Sequence, residues 1–128
     1  MIAAGIGCRK GTSAETILAV LEAAMTASGR TGSRPQILAT GPQKAAEGGL
    51  LEAARQLGVD LTVVSEPDMQ AASPRTLTLS PHSVAHVGIP SFCEAAVLAA
   101  AGEASRLLGP RYVEDGVTCA IAITEDAA

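Results

Sequence analysis

The stretch that most constrains this chain is its first sixteen residues, Met1-Ile-Ala-Ala-Gly-Ile-Gly-Cys-Arg-Lys-Gly-Thr-Ser-Ala-Glu-Thr16. A short apolar run, Ile2 to Ile6, reads as a buried strand. It breaks into a loop punctuated by Gly5, Gly7 and Gly11 and charged by Arg9 and Lys10. The loop opens onto a helix start, where Thr12 and Glu15 have the spacing of a capping box. Backbone N–H groups at a helix N-terminus, beside two cations, favour anions. The segment is therefore a candidate strand–loop–helix cradle for phosphate or carboxylate. A tight turn whose glycines serve only close packing is the alternative reading.

The glycine spacing, Gly-x-Gly-x-x-x-Gly, departs from the dinucleotide fingerprint, and Lys10 precedes Gly11 rather than following it as in a P-loop. The second strand, Ile37-Leu38-Ala39-Thr40-Gly41, ends without the carboxylate that would hold a ribose. No nicotinamide or other cofactor is expected.

Further along, strands and helices alternate. The apolar stripe Ile17, Leu18, Leu21, Ala24 and Met25 predicts a helix over Ser13 to Ser28. A strand over Gln36 to Ala39 follows, then a helix from Pro42 to Leu57, interrupted in composition by Gly48-Gly49. That pair implies that another backbone, or a ligand, packs close. A third strand is predicted over Asp60 to Val64, and a loop with one helical turn at Pro67 to Ala71 over Ser65 to Pro74. Thr76 to His86 fits either a short strand and turn or a short helix begun by Ser80-Pro81. Ser91 and Glu94 repeat the capping-box spacing ahead of an alanine-rich helix closed by Gly102. Arg106 to Val113 and Val117 to Thr124 alternate as strands, with Asp115-Gly116 between them as a hairpin signal. The fold class this order implies is a three-layer α/β/α domain over residues 1–128, with a mostly parallel sheet and a C-terminal antiparallel hairpin.

In such sheets ligands bind beyond the carboxyl ends of the strands. Three loops should meet there: Gly7 to Ser13, Thr40 to Lys44, and Gly88 to Glu94. Together they contribute Arg9, Lys10, Thr12, Ser13, Lys44, Ser91 and Glu94 to one polar crevice. A net charge of −4, with one Phe, one Tyr and no Trp, argues against a nucleic-acid surface. No apolar run reaches the roughly 18 to 20 residues of a membrane span, and no signal peptide is legible. Three cysteines, Cys8, Cys93 and Cys119, without a CxxC, fit reduced thiols and a cytoplasmic protein.

Three motifs, in order along nearly the whole chain, resemble the CobE / CbiG C-terminal domain family of cobalamin biosynthesis. They are Gly5-Ile6-Gly7-Cys8-Arg9-Lys10-Gly11-Thr12-Ser13, then Lys44-x-x-Glu47 with Gly49-Leu50, then Val87-Gly88-Ile89-Pro90-Ser91-Phe92-Cys93-Glu94-Ala95-Ala96. A terminal strand such as Val117 to Ala122 also fits. In the family's long form this domain is the C-terminal part of a hydrolase that opens the lactone ring of cobalt-precorrin-5A and releases acetaldehyde. The stand-alone form is associated with the aerobic pathway. The resemblance implies a protein that binds a corrin-ring precursor, a precorrin or hydrogenobyrinic-acid type polycarboxylate, as accessory or carrier. Other enzymes of the pathway are the implied protein partners. The alternatives are a precorrin-lactone hydrolase and a small nucleotide- or phosphate-binding domain.

The implied substrate-binding set is Gly7, Arg9, Lys10, Gly11, Thr12, Ser13, Lys44, Glu47, Ser91 and Glu94, with Ile89, Pro90 and Phe92 as apolar contacts to the macrocycle. If the chain is catalytic, the candidates are Glu94, Glu47 and Cys8. Cys8 lies beside two cations near a helix start, where a thiol pKa falls; otherwise it is a small buried residue at the strand end. Lys44 and Glu47 otherwise form a surface ion pair on one helix, and Glu94 otherwise only caps its helix. His82 and His86 have i, i+4 spacing but no third ligand near, so no metal site is expected.

Overall fold

The computed structural model describes residues 1–124. In chain order the elements are β1 (Ile2–Cys8), α1 (Ala14–Ala27), β2 (Ile37–Thr40), α2 (Gly48–Leu57), β3 (Asp60–Val63), α3 (Glu66–Ala72), α4 (Pro81–Val87), α5 (Phe92–Ala101), β4 (Ser105–Leu107), β5 (Tyr112–Glu114) and β6 (Val117–Thr124). Single 3-10 turns occupy Pro42–Lys44 and Ser73–Arg75. The sheet order is β3-β2-β1-β6-β4, and β5 pairs with β6 as well. β1, β2 and β3 are parallel, as the crossovers through α1 and α2 require. β6 runs antiparallel to β1 along its whole length, Ile2 opposite Ile123 and Cys8 opposite Val117.

Alternation along β1 sorts the layers. Ala4, Ile6 and Cys8 face Ile17, Val20 and Leu21 of α1 and Leu50 of α2. Ala3, with Ala120 and Ala122 of β6, faces Cys93 and Val97 of α5. On that second side Met69 of α3 packs with Ala95, Ala96 and Ile89. A Cβ on Gly5 would lie 2.1 Å from the Cys93 carbonyl oxygen, so the bare backbone is what lets α5 sit down on β1.

Several expected boundaries move. The helix expected from Pro42 is broken: the 3-10 turn ends at Lys44, and α2 starts only at Gly48 with Glu47 as its N-cap. The reason is Gly49, whose Cβ would lie 2.0 Å from the Thr12 carbonyl oxygen; the start of α2 is pressed onto the loop before α1. The expected loop at Ser65 to Pro74 is a two-turn helix, α3, capped by the Ser65 hydroxyl accepting from Asp68 N–H at 3.3 Å. Thr76 to His86 resolves into extended chain followed by α4, whose N-cap is Ser80. The strand expected over Arg106 to Val113 is two short strands, because Gly109-Pro110 interrupts pairing with β6. The Asp115-Gly116 turn is present, both residues having positive φ (52° and 76°), as a two-residue type I′ hairpin needs. Among the described residues no single helix is long and apolar enough to cross a membrane.

Candidate functional site

The three expected loops meet at the carboxyl ends of β1 and β2. The Gly11 N–H donates to Glu47 Oε2 at 3.0 Å, tying the first loop to the second. The Phe92 ring, at the start of α5, lies between the two strands: its Cδ2 is 3.3 Å from where a Cβ on Gly7 would be, and its Cε1 2.7 Å from that position on Gly41. Beneath it the Thr40 hydroxyl donates to the Ile6 carbonyl at 2.9 Å and fixes the spacing of the two strand ends.

Arg9, Lys10 and Gly11 are exposed, and Lys44 and Glu47 half-buried. Arg9 runs along the β5–β6 turn, its Cδ 3.0 Å from where a Cβ on Gly116 would sit. Among the described residues Arg9, Lys10 and Lys44 make no ion pair. Lys44 and Glu47, expected on one helix, sit on either side of the break and do not form the surface ion pair of the alternative reading: Glu47 instead accepts from the Gly11 amide.

Two local expectations at α1 and α5 change. Ser13, not Thr12, caps α1, its hydroxyl accepting from Thr16 N–H at 3.1 Å. Thr12 instead donates to the Arg9 carbonyl at 2.6 Å, closing the loop on itself. Ser91 is the N-cap residue of α5, but its side chain makes no cap bond, and Glu94 does not reach back to form a box. Glu94 is fully buried, and its carboxylate holds two other segments: Oε1 accepts from Leu77 N–H (2.7 Å) and Thr78 N–H (2.9 Å), Oε2 from the Thr78 hydroxyl (2.7 Å) and Arg111 N–H (2.8 Å).

Cys8 is the small buried strand-end residue of its second reading. Burial pushes its thiol pKa up, outweighing the pull of Lys44, and Glu47 adds to the rise. Burial likewise raises Cys93 to about 11 and Cys119 well above the ordinary thiol value. His82 and His86 are exposed on α4 with rings stacked at 4.0 Å, and His86 Nδ1 lies 2.9 Å from the His82 carbonyl. Among the described residues no three His, Cys, Asp or Glu side chains gather as a metal site would require. Of the apolar contacts, Phe92 and Pro90 are half-buried while Ile89 is fully buried and faces Met69.

Two cavities, of about 200 and 360 Å³, flank α1, one against Leu108–Tyr112 and the other against Gly32–Pro35. Neither touches the three loops. Sequence reasoning did not find Thr118, whose hydroxyl donates to the Gly7 carbonyl at 3.4 Å, nor Thr78 and Arg111 as partners of Glu94. These contacts join residues 16 to 111 positions apart, and no local pattern announces them.

A family model described as "Cobalamin synthesis G C-terminus" matches residues 2–122. Protein CobE of Sinorhizobium sp is 27% identical over 118 residues, covering 92% of this chain and 77% of that protein. The crystal structure of CobE, a protein from the cobalamin (vitamin B12) biosynthetic pathway, superimposes with a TM-score of 0.89 at 34% identity, over 98% of this chain and 92% of that one. Cobalamin biosynthesis protein chiG from Agrobacterium tumefaciens str. C58 superimposes with a TM-score of 0.78 at 46% identity, over 98% and 100% of the two chains.

Proposed function

The chain belongs to the cobalamin synthesis G C-terminus family and is a cobalamin-biosynthesis protein; from that premise we propose that it binds a corrin-ring precursor at the carboxyl ends of β1 and β2, as accessory or carrier. The ligand class is a precorrin or a polycarboxylate of the hydrogenobyrinic-acid type. The observation that carries this reading is the joining of three loops at one face, with Arg9, Lys10 and Lys44 free of ion pairs among the described residues. A flat macrocycle rimmed by acetate and propionate groups suits a face that carries Arg9, Lys10 and Lys44 together with the half-buried Phe92 ring. Each charge-assisted contact to a carboxylate is worth about 1.5–3 kcal/mol. Because the net charge is −4, attraction must come from these local cations rather than from the protein as a whole.

What favours binding over lactone hydrolysis is the state of the catalytic candidates. Both Glu94 oxygens are occupied by protein donors, and burial keeps the Cys8 thiol protonated. The test is titration of hydrogenobyrinic acid into the wild type, Arg9→Ala and Lys44→Ala. Each variant should bind about tenfold or more weakly, one lost charged contact, with an unchanged melting temperature. Equal affinity in all three proteins refutes the placement, and ring opening of a precorrin lactone by the pure protein refutes the carrier role.

A further inference from the structure

α4 is a short helix held at both ends. Its N-cap is Ser80, whose hydroxyl accepts from Ser83 N–H at 3.2 Å, and Pro81 fills the first helical position. Gly88 ends it in the left-handed region, φ 69°, with its N–H on the Val84 carbonyl at 3.0 Å. The Ser83 hydroxyl donates to the Ile89 carbonyl at 2.6 Å and the Ser80 N–H to the Pro90 carbonyl at 2.7 Å, which pins the helix to the chain that follows it. Ser83 is buried, whereas His82 and His86 are exposed one turn apart. A helix fixed in this way holds residues i and i+4 as neighbours on one face.

The two rings are stacked, with centroids 4.0 Å apart and planes 29° from parallel. Two ring nitrogens bound to one ion, each at about 2.0–2.1 Å, stand at most about 4 Å apart, so the rings already have the spacing of a chelate. The neutral His86 ring is also fixed in its tautomer. Its Nδ1 lies 2.9 Å from the His82 carbonyl, which can only accept, so Nδ1 carries the proton and Nε2 keeps its lone pair. A ring N–H given to a carbonyl is the usual support behind a histidine that binds metal through its other nitrogen. The ring nitrogens of His82 have no partner among the described residues, so rotation about χ2 is free to present one of them.

We propose that His82 and His86 form a two-nitrogen chelate on the exposed face of α4 for a divalent ion of the Cu²⁺, Ni²⁺ or Zn²⁺ class. Imidazole suits these ions, while Mg²⁺ and Ca²⁺ take oxygen ligands, and two histidines at i, i+4 on one helical face are a recurring zinc-binding pair. Among the described residues no third His, Cys, Asp or Glu joins them. The ion is therefore held by two protein ligands, with its remaining positions left to water. This site uses none of Arg9, Lys10 and Lys44 and does not depend on the corrin reading.

The experiment titrates copper(II) chloride into the untagged full chain at neutral pH, followed by calorimetry and electron paramagnetic resonance. Copper should saturate at one ion per chain, with hyperfine splitting from two ring nitrogens. His82→Gln and His86→Gln should each bind at least tenfold more weakly and show one ring nitrogen, because the second imidazole acts at the high effective concentration of a linked ligand. Both variants should melt with the wild type, since both rings are exposed. Zinc chloride, followed by ¹⁵N NMR of the histidine rings, should move His86 Nε2 and leave Nδ1 protonated. A wild-type spectrum with a single ring nitrogen, or single variants that hold copper as tightly as the wild type, overturns the chelate. Undiminished copper binding in the double variant assigns the metal to the N-terminal amine or the thiols and overturns it as well.

Discussion

Glu94→Ala should cost the fold stability rather than chemistry, and the size of the loss follows from its four hydrogen bonds. The carboxylate accepts from Leu77 N–H, Thr78 N–H, the Thr78 hydroxyl and Arg111 N–H, all within 2.9 Å. In the alanine variant the Thr78 hydroxyl rotates to a new partner, but three backbone N–H groups lose theirs. An orphaned buried donor costs about 1–3 kcal/mol. The donor segments are only partly buried, so water meets some of the loss and the low end applies to each, giving about 3 kcal/mol in total. A chain of this length has roughly 6–19 kcal/mol to lose, so the variant folds. Its melting temperature should fall by about 10 °C. Glu94→Gln keeps one acceptor oxygen but sets its NH₂ against the Arg111 N–H, and should lose about 2 kcal/mol. Urea unfolding gives the free energies, and amide exchange at Leu77, Thr78 and Arg111 locates the damage. An alanine variant within about 1 kcal/mol of wild type, with exchange at those amides unchanged, refutes a stabilising role for the Glu94 hydrogen bonds.

Gly49→Ala should destabilise by about 2–3 kcal/mol in urea unfolding, because its Cβ would meet the Thr12 carbonyl oxygen at 2.0 Å. Its neighbour is the control: Gly48→Ala points into open space and should be neutral or stabilising by up to about 1 kcal/mol. The buried thiols predict alkaline sensitivity. Cys93 titrates at about 11 when folded against an ordinary 9.0, so the folded state holds the proton more tightly. Stability is then full below pH 9 and falls as pH rises toward 11, by the order of 2–3 kcal/mol. Urea midpoints should drop across this window, less steeply in Cys93→Ala, with Cys119 accounting for much of the remaining slope.

The layered α/β plan was legible because β1, α1, β2 and α5 carry unmixed signals: a bare apolar run, a regular apolar stripe, and glycine or serine at the right ends. The Asp115-Gly116 turn was legible because a type I′ hairpin demands those residue types. The break before α2 was half-legible: Gly48-Gly49 announced a close approach, but only the folded chain shows that Thr12 is what approaches. Capping patterns misled where tertiary contacts outbid local ones. Glu94 has the capping spacing, yet Leu77, Thr78 and Arg111 offer four bonds where the helix end offers one. Burial of Cys8 at the strand end was legible; that burial outweighs the cation beside it shows only in the fold. The meeting of the three loops followed from the sheet topology; the seat of Phe92 on Gly7 and Gly41 did not, because it depends on how far α5 slides along β1.

The most direct test of the account is calorimetric titration of the wild-type protein with hydrogenobyrinic acid at low and at high salt. The account predicts binding at low salt that weakens as salt rises, because exposed charge pairs are screened over about 8 Å at physiological ionic strength. A salt-insensitive remainder should persist from contact of the macrocycle with Phe92 and Pro90. Absence of binding at low salt with millimolar ligand, or an affinity indifferent to salt, contradicts it.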